Sequence, residues 1–383
     1  MESAKSQTIA QTQSTCFMAI ELSKASWLIG IVTPLSDKVS LHKIPCGDIR
    51  RLMEIVDRTI GHVGQATGRP VQIVSCYEAG YDGFWLHRVL EARGIMNHVL
   101  DAASLMVNRK ARRAKTDRLD VEKLLRTLMA YCRGEPRVCS VAQPPSVAEE
   151  DAKRLHRERA FLMKERVQHI GRIKGLLATQ GIYDFQPSRQ GWQDGLGQLV
   201  TGDGRALGPR LKAELDRQCR RLAMVDAMLK EIDGERDAEL AAVESPSAAT
   251  DRIKRLARLR GVGPQIATVL ATEVFYRQFG NRRRLGSYLG LTPSPFQSGD
   301  VARDQGITKA GNPRARTTAI ELAWLWLRYQ PKSSLARWFR ERTSGRRGRI
   351  RRIIIVAVAR KLVIALWRYL ETGLVPSGAE LKG

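Results

Sequence analysis

The sequence predicts a mixed α/β domain followed by a mainly helical remainder. Three observations carry that expectation. Short β-forming runs alternate with amphipathic stretches up to about residue 129. Pro144-Pro145 then interrupts the chain, and beyond it two long stripes of apolar residues recur at spacings of three or four.

Cys16–Ile20 and Ser26–Thr33 are rich in apolar and β-forming residues, Pro34-Leu35-Ser36-Asp37 breaks the run, and Val39–Ile44 alternates apolar with polar. Asp48 reads as the N-cap of an amphipathic helix carrying Leu52, Ile55, Val56 and Ile60. Val71–Tyr77 reads as a fourth strand, Phe84–Ala92 as a helix and His98–Asp101 as a short fifth strand. A helix from about Thr116 to Met129 closes the domain. The order β-β-β-α-β-α-β-α is that of a buried sheet covered by helices.

Ser146 to Gln180 is charged and helical, with Met163, Val167, Ile170, Ile173 and Leu177 in register. After a Gly- and Pro-containing break from Gly181 to Pro209, a second long helix carries Leu211, Leu215, Cys219, Leu222, Val225, Leu229 and Ile232. Two such stripes fit a helical hairpin within one chain or a coiled coil between chains. From Ile253 to Arg340, helical segments alternate with Gly/Pro loops, without a strong alternating strand pattern. A basic tail, Arg346–Lys361, leads into a last amphipathic helix ending near Thr372-Gly373. These changes divide the chain at 1–145, 146–250, 251–345 and 346–383.

Charge limits the function. Lysine and arginine total 64 against 39 acids, a formal charge of +25, with a pI near 10.3. Such an excess points to a polyanion, because each phosphate neutralised releases condensed counterions. The 43% apolar content excludes a wholly disordered basic protein. The longest apolar run, Ile353–Ala359, falls far short of the ~20 residues that span a bilayer. The polar stretch Met1 to Thr15 lacks a signal peptide's apolar core. The six cysteines form no CxxC pair, so reduced thiols in the cytoplasm are expected.

Four carboxylates stand out by position. Glu21 closes the first strand and Glu78 the fourth, while Asp117 and Asp120 open a helix at a spacing that puts both on one face. Gathered together they would repel strongly unless a cation sat among them. Hard divalent ions take such oxygen ligands and share the substrate's phosphate oxygens. Singly, each acid fits a solvated loop or a helix dipole partner equally well.

Leu256-Ala257-Arg258-Leu259-Arg260-Gly261-Val262-Gly263-Pro264 has the layout of a helix, a tight Gly-x-Gly turn and a second helix entered through proline. It resembles a helix-hairpin-helix, in which Gly261 and Gly263 let the backbone approach a phosphate that Arg258 and Arg260 grip. Nine basic residues lie between Arg252 and Arg284 against one acid, Glu273. Further on, Thr292-Pro293-Ser294-Pro295-Phe296-Gln297-Ser298-Gly299 makes a stiff loop, followed by Gly306-Ile307-Thr308-Lys309-Ala310-Gly311-Asn312. Ser294 and Ser298 read as turn residues by themselves, and no Gly-x-Ser-x-Gly elbow suggests a hydrolase triad.

The spaced acids and the segment from Arg258 to Asn312 together resemble the DEDD transposases of bacterial insertion sequences, the family that includes Piv-type invertases and bridge-RNA-guided recombinases. The resemblance covers about residues 16–330. It implies an RNase H-like (RuvC-like) N-terminal domain, a helical coiled-coil insertion and a mainly helical C-terminal transposase domain. It implies that Glu21, Glu78, Asp117 and Asp120 bind Mg²⁺ (or Mn²⁺) and that Ser298 is the nucleophile. Lys115, Arg258, Arg260, Gly261, Gly263 and Lys309 are then candidate nucleic-acid contacts. It further implies double-stranded donor and target DNA, a structured non-coding guide RNA and a homo-oligomer, dimer or tetramer, acting in the bacterial cytoplasm. The family's first acid is typically aspartate. Glu21 departs from that by one methylene, a shift of the size at which positioning affects rate.

Two other functions fit parts of the pattern. A RuvC-like junction nuclease would use water and keep cleavage in Ser298→Ala. A non-catalytic DNA-binding protein would tolerate Asp117→Asn and Asp120→Asn but bind more weakly without Arg258 and Arg260.

Overall fold

The computed structural model of the chain describes residues 13–105, 116–136, 138–242, 247–298, 301–344, 346 and 348–382; for 103, 298 and 301–304 it describes the backbone alone. The chain forms two compact units, Met1–Ser146 and Val147–Gly383.

The first unit is built on one five-stranded sheet of order β3-β2-β1-β4-β5. Its strands are β1 (Ser14–Glu21), β2 (Ser26–Thr33), β3 (Ser36–Pro45), β4 (Val71–Glu78) and β5 (Met96–Leu100). The first three form an antiparallel meander, while β4 joins β1, and β5 joins β4, in parallel. Alternation along each strand feeds two cores. Ile20, Tyr77, Trp27 and Ile29 face α1 (Ile49–Thr67) and α2 (Trp85–Glu91). Ala19, Val74, Cys76 and Leu100 face α3 (Asp117–Cys132), which seats Val121, Leu124, Leu125 and Leu128 on them. Small residues allow that approach: Ala19 pairs with Gly30, and a Cβ on Gly30 would collide with Val121 Cγ1. Asp48 caps α1, its carboxylate accepting from the Arg51 amide at 3.0 Å. Burial pushes the Cys16 thiol up to about 11 and raises Cys76 further, so both stay protonated.

In the second unit, α4 (Val147–Asp151) precedes α5 (Arg154–Ala178), and α7 (Pro209–Ala241) returns alongside α5. Between them, α6 (Trp192–Gly197) packs Trp192 and Leu196 into the far end of the hairpin. The pairing is antiparallel and within one chain: Ile173 and Leu177 meet Leu215, Cys219 and Leu222, while Leu162 meets Val225, Leu229 and Ile232. Three ion pairs keep the same register, Arg159–Asp233, Arg166–Asp226 and Arg172–Glu214. Val167, expected in the seam, is instead 61% exposed. It is displaced because the continuous stripe runs through Leu162, Ile173 and Leu177.

The rest of the unit is a helical bundle: α8 (Ala248–Ala257), α9 (Pro264–Glu273), α10 (Arg282–Tyr288), α11 (Pro313–Tyr329), α12 (Ser334–Thr343) and α13 (Arg349–Thr372). One core unites them around Leu256, Leu270, Leu322, Trp326, Leu362 and Leu366. Two expectations are corrected here. The stiff serine loop is an antiparallel hairpin of β6 (Pro293–Ser298) and β7 (Val301–Ile307). Cross-strand pairing holds it where its prolines and charges hid any alternation. The basic tail is also not a lead-in to the last helix, because α13 already begins at Arg349. Arg349, Arg351 and Arg352 are on the exposed side of a helix whose other side is core.

Candidate active site and nucleic-acid interface

The sheet register places two of the four acids abreast. Ile20 pairs with Tyr77, so Glu21 and Glu78 follow at one level on adjacent parallel strands. Both belong to the face under α3. Glu21 is opposite Leu28 and Glu78 opposite Leu100, and both leucines pack into the α3 core. Asp117 lies one turn before Val121, and Asp120 one turn before Leu124, so both extend the stripe that α3 presents to that face. Thr116 starts the helix there, its hydroxyl accepting from the Leu119 amide at 3.4 Å. Acids in this first turn also suit the positive end of the helix. Glu78 and Asp117 are exposed and Glu21 and Asp120 half-buried. Among the described residues, no group of three or more His, Cys, Asp or Glu stands close enough to hold a metal ion. The fold thus gathers the four on one face without closing them into a cage. Lys115 lies outside the described residues.

Ser298 ends β6, its backbone opposite Val301. The feet of this hairpin are fixed firmly. The Thr308 amide donates to the Thr292 carbonyl at 2.9 Å, Lys309 to Gly290 at 3.3 Å and Asn312 to Tyr288 at 2.8 Å. Gly290 and Gly311 have φ of +65° and +91°. A Cβ on the first would strike the Ala310 carbonyl oxygen, and on the second that of Tyr288. Lys309 is exposed and takes a left-handed φ of +56°, a conformation that is costly for a side-chain-bearing residue. The Arg316 guanidinium braces it by donating to the Lys309 carbonyl at 2.8 Å.

Beneath the hairpin lies a charge cluster that sequence reasoning did not assign to the site. Glu273 is 2% exposed, with His156 and Lys153 buried beside it. Its carboxylate takes His156 Nε2 at 3.0 Å, Arg157 Nε at 2.8 Å and Asn312 Nδ2 at 3.0 Å. Tyr288 donates its hydroxyl to the Glu273 carbonyl at 2.8 Å. Lys153 stacks on Tyr276, Nζ 3.7 Å from the ring centre. Burial alone would raise the Glu273 carboxyl, but the bonds from His156, Arg157 and Asn312 hold it well below the usual carboxylate range. Burial lowers Lys153, partly offset by Glu273. The one sequence signal was a lone carboxylate within a run otherwise free of charge, Ala267 to Tyr276.

The Gly-x-Gly turn is a turn between α8 and α9, with Gly261 at φ +83° and Pro264 at the first helical position. Packing explains the glycine, since a Cβ there would press on Tyr329. Arg258 and Arg260 are both exposed. Yet the C-terminal residues run against this turn. Arg260 N donates to the Glu380 carbonyl at 3.1 Å and Lys382 N to the Arg258 carbonyl at 2.7 Å. The Arg260 guanidinium is paired with the Glu380 carboxylate at 2.6 Å. Other cations of the expected cluster also have internal partners: Arg255 donates to the Tyr369 carbonyl and Arg277 lies over Tyr288. No helix among the described residues is long and apolar enough to cross a membrane.

Residues 253–338, which hold the Gly-x-Gly turn, Glu273 and the hairpin, match the family described as Transposase IS116/IS110/IS902 family. Over 373 residues, 96% of this chain and 94% of the relative, the sequence is 46% identical to y4rJ of Sinorhizobium fredii, a protein named as a transposase. A second protein so named from that organism, y4qE, is 28% identical over 80% of this chain and 77% of its own. The transposase for insertion sequence element IS1111A of Coxiella burnetii is 29% identical over 49% of this chain and 50% of its own.

Proposed function

The chain belongs to the IS116/IS110/IS902 transposase family, and from that premise we propose that it cuts and rejoins DNA through a phosphoserine intermediate on Ser298. The observation that carries the reading is the placement of Glu21, Glu78, Asp117 and Asp120 on one face of the sheet. The strand order, with two parallel strands added to an antiparallel meander, supports assigning this unit to the RNase H-like folds. The four side chains offer only carboxylate oxygens, the donor type that suits Mg²⁺ or Mn²⁺. When bound, the ion would neutralise charge developing on the phosphate.

In this reading the Ser298 hydroxyl attacks phosphorus, and its proton ends, directly or by way of solvent, on the deoxyribose oxygen that leaves. An Oγ–P bond forms and one P–O bond to deoxyribose breaks, so the number of phosphate ester bonds is conserved. The freed DNA hydroxyl of another strand reverses the step, and rejoining needs no external energy source. The locked feet of the β6–β7 hairpin hold the serine segment against the helical bundle, which limits the conformations it must search. The basic surface holds donor and target duplexes by their backbones, and a structured non-coding RNA supplies sequence choice by base pairing. A homo-oligomer, dimer or tetramer, brings the two duplexes together.

The test uses the full-length protein with Mg²⁺ and a DNA substrate carrying the element's junction. Wild type should leave a covalent protein–DNA adduct, Ser298→Ala should lose both adduct and cleavage, and Asp117→Asn with Asp120→Asn should do the same while still binding DNA. Cleavage retained by Ser298→Ala would replace this reading with a water-using nuclease.

A further inference from the structure

The arginines of the second unit differ in whether an acid neutralises them. Along the α5–α7 hairpin three of them are neutralised by acids of the facing helix, Arg159 by Asp233, Arg166 by Asp226 and Arg172 by Glu214. From α12 onward they are not. Residues 337–361 hold ten basic side chains and a single acid, Glu341. Nine of these ten are among the described residues, and none of the nine takes part in a salt bridge within 4.0 Å there.

The packing of α12 on α13 concentrates this charge. Arg342 and Lys361 both lie over the Trp338 ring, 5.9 and 4.8 Å from its centre, and Arg351 lies 5.7 Å from that of Phe339. Arg337, Arg349, Arg351 and Arg352 are exposed. The arrangement costs stability. Like charges repel across one turn, and three arginines occupy the end of α13 where cations are disfavoured. These ring contacts, and the bond from Arg340 to the Pro331 carbonyl, neutralise no charge, so an external polyanion is the compensating partner. Arginine forks suit phosphate oxygens in pairs. Between Arg349 and Lys361 the helix rises ~18 Å, long enough to meet several phosphates of a duplex. The segment matched to the family ends at residue 338, so most of this face lies beyond it.

We propose that the α12–α13 face, centred on Arg349, Arg351 and Arg352, is a separate nucleic-acid surface that binds the phosphodiester backbone of a duplex. The inference rests on the reading that the chain handles nucleic acid, but not on the serine chemistry.

The experiment measures the affinity of full-length wild type and of an Arg349→Gln/Arg351→Gln/Arg352→Gln variant across a salt series. The ligands are a random-sequence DNA duplex and an RNA duplex of equal length. Loss of three contacts should flatten the log–log salt slope by about 2 to 3 and weaken binding on the order of 10–100-fold near 0.15 M salt. The matching arginine-to-lysine triple should restore most of the slope. Loss with DNA alone or RNA alone identifies which duplex lies there. An unchanged slope with both duplexes, in a variant that melts like wild type, overturns the proposal and leaves an acidic protein as the candidate partner. Ser298→Ala is the control for the catalytic reading: it should bind both duplexes with the wild-type slope whether or not it cleaves.

Discussion

Arg157 grips Glu273 in a two-pronged contact, Nε 2.8 Å from Oε1 and Nη2 3.1 Å from Oε2, across 116 residues of sequence. This contact fastens the start of the long helical hairpin to α9, and through Asn312 to the base of the serine hairpin. A buried charge seldom stabilises more than apolar packing would, because it loses its water, and here the Glu273 side chain is 2% exposed while that of Arg157 stays 46% exposed. Keeping one here is explained by direction: a carboxylate on α9 with donors from α5 and from Asn312 fixes the mutual orientation of these three segments, which an oily contact would not.

Removing that carboxylate should be severe. Glu273→Ala leaves the half-exposed Arg157 and the buried His156 without their acceptor, and the helical unit should lose about 1–3 kcal/mol in denaturant unfolding. Glu273→Gln, which keeps acceptor capacity, should lose less.

The same group makes stability depend on acid. The Glu273 carboxyl is held below its ordinary value in the folded state. Its contribution is therefore present in full above the ordinary carboxylate pKa and declines as pH falls through the folded one. Melting temperature followed from pH 7 down into the acid range should drop more steeply for wild type than for Glu273→Gln. Parallel curves would deny Glu273 this role.

Glu380 occupies a guanidinium that a phosphate would otherwise contact. It pairs with Arg260 at 2.6 Å and approaches Lys332 at 3.5 Å, in a half-exposed setting. Exposed pairs of this kind contribute about 0.2–1 kcal/mol. Glu380→Gln should accordingly tighten non-specific duplex binding by roughly 1.5- to 5-fold. Fluorescence anisotropy at two salt concentrations would measure it, and Arg260→Ala should abolish the gain.

What the sequence disclosed and what it withheld divide along a physical line. The strands Ser26–Thr33 and Val71–Glu78, the Asp48 cap and the Gly261 turn are specified by neighbours in the chain, and their local patterns were legible. The acids at strand ends could be picked out for the same reason, though only the register shows Glu21 and Glu78 abreast. The β6–β7 hairpin was not legible, because Pro293, Pro295, Arg303 and Asp304 suppress the alternation that marks a strand. The internal contacts of Glu273 and Arg260 were not legible for a complementary reason. Their partners, Arg157 and Glu380, are more than a hundred residues away, and no periodicity encodes such a contact.

The last prediction concerns how the sheet positions the acids. Gly30 is opposite Ala19 on β1, and its missing side chain makes room for Val121 of α3. Leu125 Cδ1 and Val39 Cγ1 stand 3.1 and 3.2 Å from where a Cβ would be, so the site is closed on several sides. Gly30→Ala should therefore lift the first half of α3, at a cost of about 1–3 kcal/mol for overpacking. Because Asp117 and Asp120 are on the turn just before Val121, that lift should reduce Mg²⁺-dependent cleavage well before the sheet unfolds. Adding Val121→Ala removes the struck methyl groups and should recover cleavage, although α3 loses some buried surface. Cleavage rates of the single and double variants, measured below their melting transitions, decide the point. If both variants cleave like wild type, the seating of α3 on β2 does not set the position of these acids.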